Sequence, residues 1–188
     1  MASAASNSVI PASEQVGDFY GGGVVFYIFE SGDTGYIAGE THGLIAAVED
    51  LSSSSGDNVY LRWFNGSYVD TGATGTAVGT GSANTDAIIS VQGATETSYA
   101  AGLARAYTDG TYTDWFLPSK DALNLMYLNR ATINTTAASN SGSDFSTNYY
   151  WSSTELDGDV AWGQGFFSGG QNIDDKSSTN AVRAVRAF

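Results

Sequence analysis

The chain of 188 residues has the length of one domain, and 42% hydrophobic with 13% aromatic residues excludes a disordered polymer. Twenty acidic against seven basic residues give a net charge of -13, which excludes the basic footprint that nucleic acid or an anionic membrane demands. There is no cysteine, so disulfides, thiol nucleophiles and thiolate metal sites are excluded, and the single His42 cannot build a multi-histidine centre.

Residues 1–18 read as an Ala/Ser-rich mobile arm, without the basic start and long apolar run of a signal peptide. Residues 19–188 read as a single domain, and no run approaches the ~20 apolar residues of a membrane span. Gly21-Gly22-Gly23 precedes Val24–Phe29, a β-branched and aromatic run that predicts a strand. Because the glycines come before a strand, not between a strand and a helix, they are no phosphate cradle. A turn at Ser31–Gly35 predicts a returning strand at Tyr36–Ala38, with a further strand at Leu44–Val48. His42 falls in a turn or at a core edge. Ser52–Asp57 is a polar loop, and Leu61–Phe64 buries Trp63.

Thr71–Ser82 alternates Gly, Thr, Ala and Ser and predicts an irregular loop. A helix follows, capped by Asn84 or Thr85, then a second over 98–107. A third runs over Lys120–Asn129 behind Ser119 as N-cap, and Thr132–Thr147 predicts another polar loop. The last strands are expected at Tyr149–Ser153, Val160–Phe167 and Val182–Ala187. Strands, then helices, then strands define an α+β domain.

Chemistry-bearing patterns are sparse. No Gly-x-Ser-x-Gly elbow is present, and Asp157/Asp159 and Asp174-Asp175 lack the spacing of a calcium loop, so no metal or cofactor is expected. Within Trp162–Phe167 a strand would put Trp162, Gln164 and Phe166 on one face and Gly163, Gly165 and Phe167 on the other. Trp151, Trp162, Phe166, Val185 and Phe188 are candidate anchors, and Arg183 and Arg186 are read as tying loops to carboxylates or carbonyls.

Six segments taken in order carry a resemblance. They are Gly22–Tyr27, Gly43–Ala47, Thr74–Thr85, Tyr112–Asp121, Tyr150–Glu155 and Val182–Phe188. Together they resemble the bacterial and phage family named after the Legionella collagen-like protein C-terminal domain and the Fibrobacter succinogenes major paralogous domain. A glutamate of the family pattern is replaced near Ala122, which weakens a capping box. The resemblance implies a C-type-lectin-like fold, related to the formylglycine-generating enzymes, with short antiparallel strands, two to three helices and long loops. It also implies a protein varied over residues 150–188 by a diversity-generating retroelement through adenine-directed mutation.

The slots expected to vary are Leu156, Asp157, Gly158, Asp159, Val160, Gly163, Gly165, Phe167, Ser168, Gly170, Asn172, Ile173, Asp174, Asp175, Ser177, Ser178, Thr179, Asn180 and Ala181. Mutating the adenines of an asparagine codon never yields Lys, Glu, Gln, Met or Trp, and none of these occupies a slot. Trp162, Gln164, Gln171 and Lys176 all fall in fixed positions between them. The expected activity is ligand binding without catalysis, on a virion or cell surface, toward a protein or glycan. Phe167 and Ile173 would be apolar anchors, and the acids would favour a basic or hydroxyl-rich partner. The alternatives are a glycan-binding adhesin of fixed specificity and, third, a hydrolase using two carboxylates.

Overall fold

The run Val24-Val25-Phe26 is apolar without alternation because both faces of its strand are covered. The computed structural model describes residues 13–51, 60–93 and 98–188. Its elements in chain order are β1 (Phe19–Tyr20), β2 (Gly23–Ile28), β3 (Gly43–Ala46), α1 (Gly81–Gln92), α2 (Ala100–Ala106), α3 (Lys120–Leu128), α4 (Arg130–Ser139), β4 (Tyr149–Glu155), β5 (Val160–Gly165), β6 (Gln171–Asp175) and β7 (Val185–Ala187). One antiparallel sheet has the order β1-β2-β3-β7, and a second has the order β4-β5-β6.

The first sheet divides the interior. Val25 and Ile45 pack with Trp63, Tyr99, Trp115, Leu117, Trp151 and Val182 on one side. Val24, Phe26, Leu44 and Val185 pack with Phe116, Leu123, Met126, Tyr150 and Phe166 on the other. Trp151 and Tyr150, adjacent on β4, enter opposite clusters, so the second sheet is held by both halves of the core. The glycine cluster is the turn from β1 to β2, with φ of +56° at Gly21 and +86° at Gly22. A side chain at Gly22 would overlap the Asp109 carboxylate.

Several sequence expectations need correction. Tyr36–Ala38 forms no strand, and β2 pairs with β3 instead, with a bulge between Val25 and Tyr27. Asn84 and Thr85 are not caps: α1 begins at Gly81, and both lie buried within it. Their polar groups are used inward, since Asn84 Nδ2 donates to Gly75 O at 2.6 Å and Thr85 Oγ1 to Gly81 O at 2.8 Å. The second helix is shorter than expected, and the third follows Ser119, whose Oγ accepts from Ala122 N.

The expected loop over Thr132–Thr147 opens with helix α4. Its Thr/Ser/Asn-rich sequence has weak helix propensity, but Ile133 and Ala137, four apart, enter the core. Thr135 Oγ1 donates to Ala131 O and Ser139 Oγ to Thr135 O, so the hydroxyls bond back within the helix. Strand β6 was not expected at all. Val182–Ala184 precedes β7 as buried chain whose carbonyls at Val182 and Ala184 accept from Leu51 N and Ala47 N.

The expected fold class is also corrected. The described residues contain four helices, not two to three, and a chain without cysteine lacks the disulfides of a typical C-type-lectin fold. The described residues form two antiparallel sheets, with the four helices between β3 and β4 in chain order. Residues 1–12 of the expected arm, and the loop expected at Ser52–Asp57, lie outside the described residues. Residues 17 and 18 are tied down: Gly17 N donates to Val25 O, Val25 N to Asp18 O, and Thr136 Oγ1 to Gly17 O. Among the described residues no helix is long and apolar enough to cross a membrane.

Burial of α4 by two side chains predicts an asymmetric response. Ile133→Ala should cost about 2–5 kcal/mol, whereas Thr135→Ala, on the exposed side, should stabilise slightly through helix propensity. Urea unfolding of the two variants checks both signs.

Candidate functional site

Strand β4 supports the C-terminal sheet through donors that reach other segments. Trp151 Nε1 donates to Leu61 O at 2.7 Å, and Trp63 Nε1 to Ser152 O at 2.8 Å. Asp50 receives the Tyr150 hydroxyl at 2.5 Å and Arg183 Nε at 2.8 Å. The Arg183 guanidinium also donates to the carbonyls of Ser143 and Asp144 and stacks 4.0 Å from the Phe145 ring. Burial, then the Asp50 charge, pushes the Tyr150 hydroxyl well above its usual range, so it remains a donor. Arg186 pairs with Asp114. Both arginines therefore tie loops and strands together.

The end of β4 is fixed by a buried ion pair. Glu155 Oε2 accepts from Lys176 Nζ at 2.8 Å, and both side chains are essentially inaccessible. Glu155 Oε1 accepts from the amides of Thr71, Gly72 and Ala73 at 2.8, 2.6 and 3.1 Å. Lys176 Nζ further donates to Val69 O at 3.3 Å and lies 4.5 Å from the Trp63 ring. Lys176 follows β6 directly, so one pair joins the end of β4, the end of β6 and the 69–73 segment.

Onto this frame the structure maps the nineteen slots unevenly. Leu156, Asp157, Asp159, Phe167, Ser168, Asn172, Ile173, Asp175, Ser177 and Thr179 are exposed, and Gly158, Val160, Gly170, Asp174 and Ser178 are partly so. Gly163, Gly165, Asn180 and Ala181 are buried. Ala181 packs in the core and Asn180 pairs through its backbone with Leu61, so these two are not placed to touch a ligand. Between the slots, Gln164, Phe166 and Lys176 are buried, as are Val182 and Arg183 after the last one. Trp162 and Phe188, expected as buried anchors, are only half-buried. Trp162 lies under Lys120, with Nζ 3.7 Å from the ring centroid.

Glycines separate the two kinds of position by an independent criterion. Gly158 and Gly170 have room for a Cβ, with nearest atoms at 3.5 and 3.4 Å. A Cβ at Gly163 would sit 3.0 Å from Tyr150 O, a tight fit, and one at Gly165 would meet the ring of exposed Phe167 at 2.9 Å and that of Tyr149 at 3.3 Å. None of these four has positive φ. Gly169, which is not a slot, has φ of +81°, and a Cβ there would lie 2.5 Å from the Tyr127 ring.

The exposed surface mixes apolar and acidic groups. Strand pairing sets Trp162 across from Ile173 and Val160 across from Asp175 on one face of the sheet, and Gly163 across from Asn172 on the other. Phe167 stands edge-on to Tyr149, with ring centroids 5.4 Å apart. A groove of about 260 Å³ is lined by Tyr149, Asn172, Ile173 and Asp174. Tyr68 donates its hydroxyl to Asp175 Oδ1 at 2.7 Å, and Val69 and Asp70 lie against Gly158. The Ser177 hydroxyl and amide, then Tyr68, hold the Asp175 carboxyl below its usual range, so it stays charged at neutral pH. Tyr68, Val69, Asp70, Lys120 and Tyr149 were not singled out from the sequence. Nothing local to those residues signals proximity to β6, which is a tertiary contact.

His42 lies apart in chemistry from this surface, with Nε2 2.7 Å from Glu40 Oε2 and Nδ1 2.9 Å from Phe188 O. Among the described residues no three His, Asp or Glu side chains are grouped to hold a metal ion. No protein-family model matches the chain, and no curated protein does. The C-type-lectin and diversity-generating-retroelement descriptions that came with the motif resemblance are therefore withdrawn.

Two outcomes follow from this geometry. Gly169→Ala should destabilise by about 1–3 kcal/mol, whereas Gly170→Ala should stay within about 0.5 kcal/mol, both by chemical denaturation. Lys176→Met should cost about 3–5 kcal/mol by leaving Glu155 buried without its cation, and the double change with Glu155→Gln should recover part of that loss.

Proposed function

We infer that the chain is a binding protein, not an enzyme, that presents the exposed side chains of β5, β6 and their connecting turns to a partner on a virion or cell surface. The observation that carries this reading is the sorting of side chains along residues 156–181. Fifteen of the nineteen slots reach solvent, whereas Gln164, Phe166 and Lys176 between them are buried. A surface whose side chains contribute little to the core tolerates exchange at about 0.5 kcal/mol or less per position. The glycines fit the same division in backbone conformation, since none in a slot has positive φ and Gly169 does. The reading therefore includes hypervariability: sibling chains would differ at the exposed slots and keep the frame.

Phe167 and Ile173 are the apolar anchors of this reading. They are 59% and 48% exposed, values that expose a core-type side chain to contact. The rigid frame limits the ordering entropy of binding, so new side-chain sets gain affinity without a folding cost.

A displayed library tests the proposal. Randomising Leu156, Asp157, Asp159, Phe167, Ser168, Asn172, Ile173 and Asp175 should leave most members folded and yield binders to an arbitrary target such as egg-white lysozyme. The same treatment of Trp151, Gln164, Phe166, Lys176 and Arg183 should leave few folded members. Equal loss of folding in both libraries, or no binders from the first, would refute the assignment.

A further inference from the structure

Strand β6 ends the second sheet, and the alternation of its ladder fixes which main-chain groups are free. Gly165 N donates to Gly170 O at one end, and Lys176 N donates to Asp159 O at the other. Asn172 and Asp174 therefore turn their amides and carbonyls toward β5, as do the Gly170 carbonyl and the Lys176 amide. Gln171, Ile173 and Asp175 turn theirs to the open edge. Asp175 uses its own locally, because its N–H donates to Asp174 Oδ1 and its carbonyl accepts from Ser178 N. Ile173 has no such local partner among the described residues, and its side chain stands exposed beside Trp162.

An open edge is a template for another strand, and proteins that leave one unused blunt it with charge, proline or a bulge. This edge has no proline and no bulge against β5. Its charges are Asp174 and Asp175, with Asp157 and Asp159 exposed on the turn that enters β5. In a chain of net charge -13 these acids oppose pairing with a second copy. They complement a cation.

We propose that the free edge of β6 accepts an extended segment of a basic partner by strand addition, with main-chain bonds centred on Ile173. Side-chain parity defines the segment. Residues on the Ile173 face are apolar and pack beside Ile173 and Trp162, and residues on the Asn172 and Asp174 face are Lys or Arg. The proposal rests on the reading of this surface as a binding face and deepens it: the backbone supplies contacts that do not depend on which side chains fill the slots.

The decisive variant is Ile173→Pro. The amide it removes is not donated to β5, so the ladder survives, as for prolines on natural edge strands. Ile173→Ala removes the side chain and keeps the amide. The probe is the acetylated, amidated peptide Lys-Val-Lys-Val-Lys-Val-Lys, with its glutamate counterpart and a form N-methylated on alternate residues.

The lysine peptide should bind, more weakly as salt rises, and should slow hydrogen exchange at the Ile173 amide. Ile173→Pro and N-methylation should each weaken binding about tenfold, the scale of one main-chain hydrogen bond. Ile173→Ala should weaken it less than either, and the glutamate peptide should not bind. N-methylation tests the same bonds without touching the fold. No binding of the lysine peptide, or binding indifferent to both blocks, would overturn strand addition. A dimer in sedimentation that Ile173→Pro abolishes would assign the edge to a second copy and overturn the basic partner. A library that yields binders while the lysine peptide fails to bind the parent chain would overturn strand addition and leave the side-chain surface standing.

Discussion

The rest of the structure depends on one buried pair of charges. Glu155 and Lys176 are placed where water cannot reach either, a position that costs several kcal/mol unless each finds its full set of partners. Three successive amides and one ammonium satisfy the carboxylate, and the same ammonium holds the carbonyl of Val69. The two charges and their main-chain partners come from three parts of the chain. A shift of any one would strand a charge, so the pair admits little besides the observed arrangement of β4, β6 and the segment from 69 to 73.

That constraint leaves several exposed side chains of β5, β6 and their turns without structural duty. Tyr150 and Trp151 secure the inner strand to the two halves of the core, and Gln164 and Gln171 secure β5 and β6 to α3 through Asn124 Oδ1 and Lys120 O. Nothing comparable is asked of Phe167, Asn172 or Ile173, whereas Asp157 Oδ1 accepts from the amides of Asp159 and Val160 and shapes its own turn. The backbone beneath them is positioned by residues they do not touch. Recognition by such a face draws on side chains for specificity and on a preset backbone for economy of entropy.

Sequence patterns revealed part of this. The doubly buried strand at Val24–Phe26, the capping serine at Ser119 and the burial of Trp63 and Trp151 follow from local composition. Parity at Trp162 and Gln164 was legible too, because strand parity is a local property, but the strand expected to reach Phe167 ends at Gly165 and residues 163–166 are all buried. Helix α4 was hidden by threonines and serines whose hydroxyls bond back to the helix, so its stability comes from packing that no local window shows. Strand β6 was hidden because Gln171–Asp175 is a polar edge with one apolar residue, and its pairing is dictated by β5. The fold class was misjudged for the same reason: motifs at strand and turn positions say little about the segments between them. Tyr68 and Lys120 border the surface only through long-range contacts, which spacing along the chain does not encode.

Of the four tryptophans, Trp63, Trp115 and Trp151 are sealed in the core, while Trp162 is half-open beneath Lys120 and directly across from Ile173. The molecule thus carries its own optical gauge. Three indoles emit from an apolar interior and respond only to unfolding, and the fourth is open to a neutral quencher such as acrylamide. Light from that one indole reports whether the neighbouring strand is covered, with no dye attached.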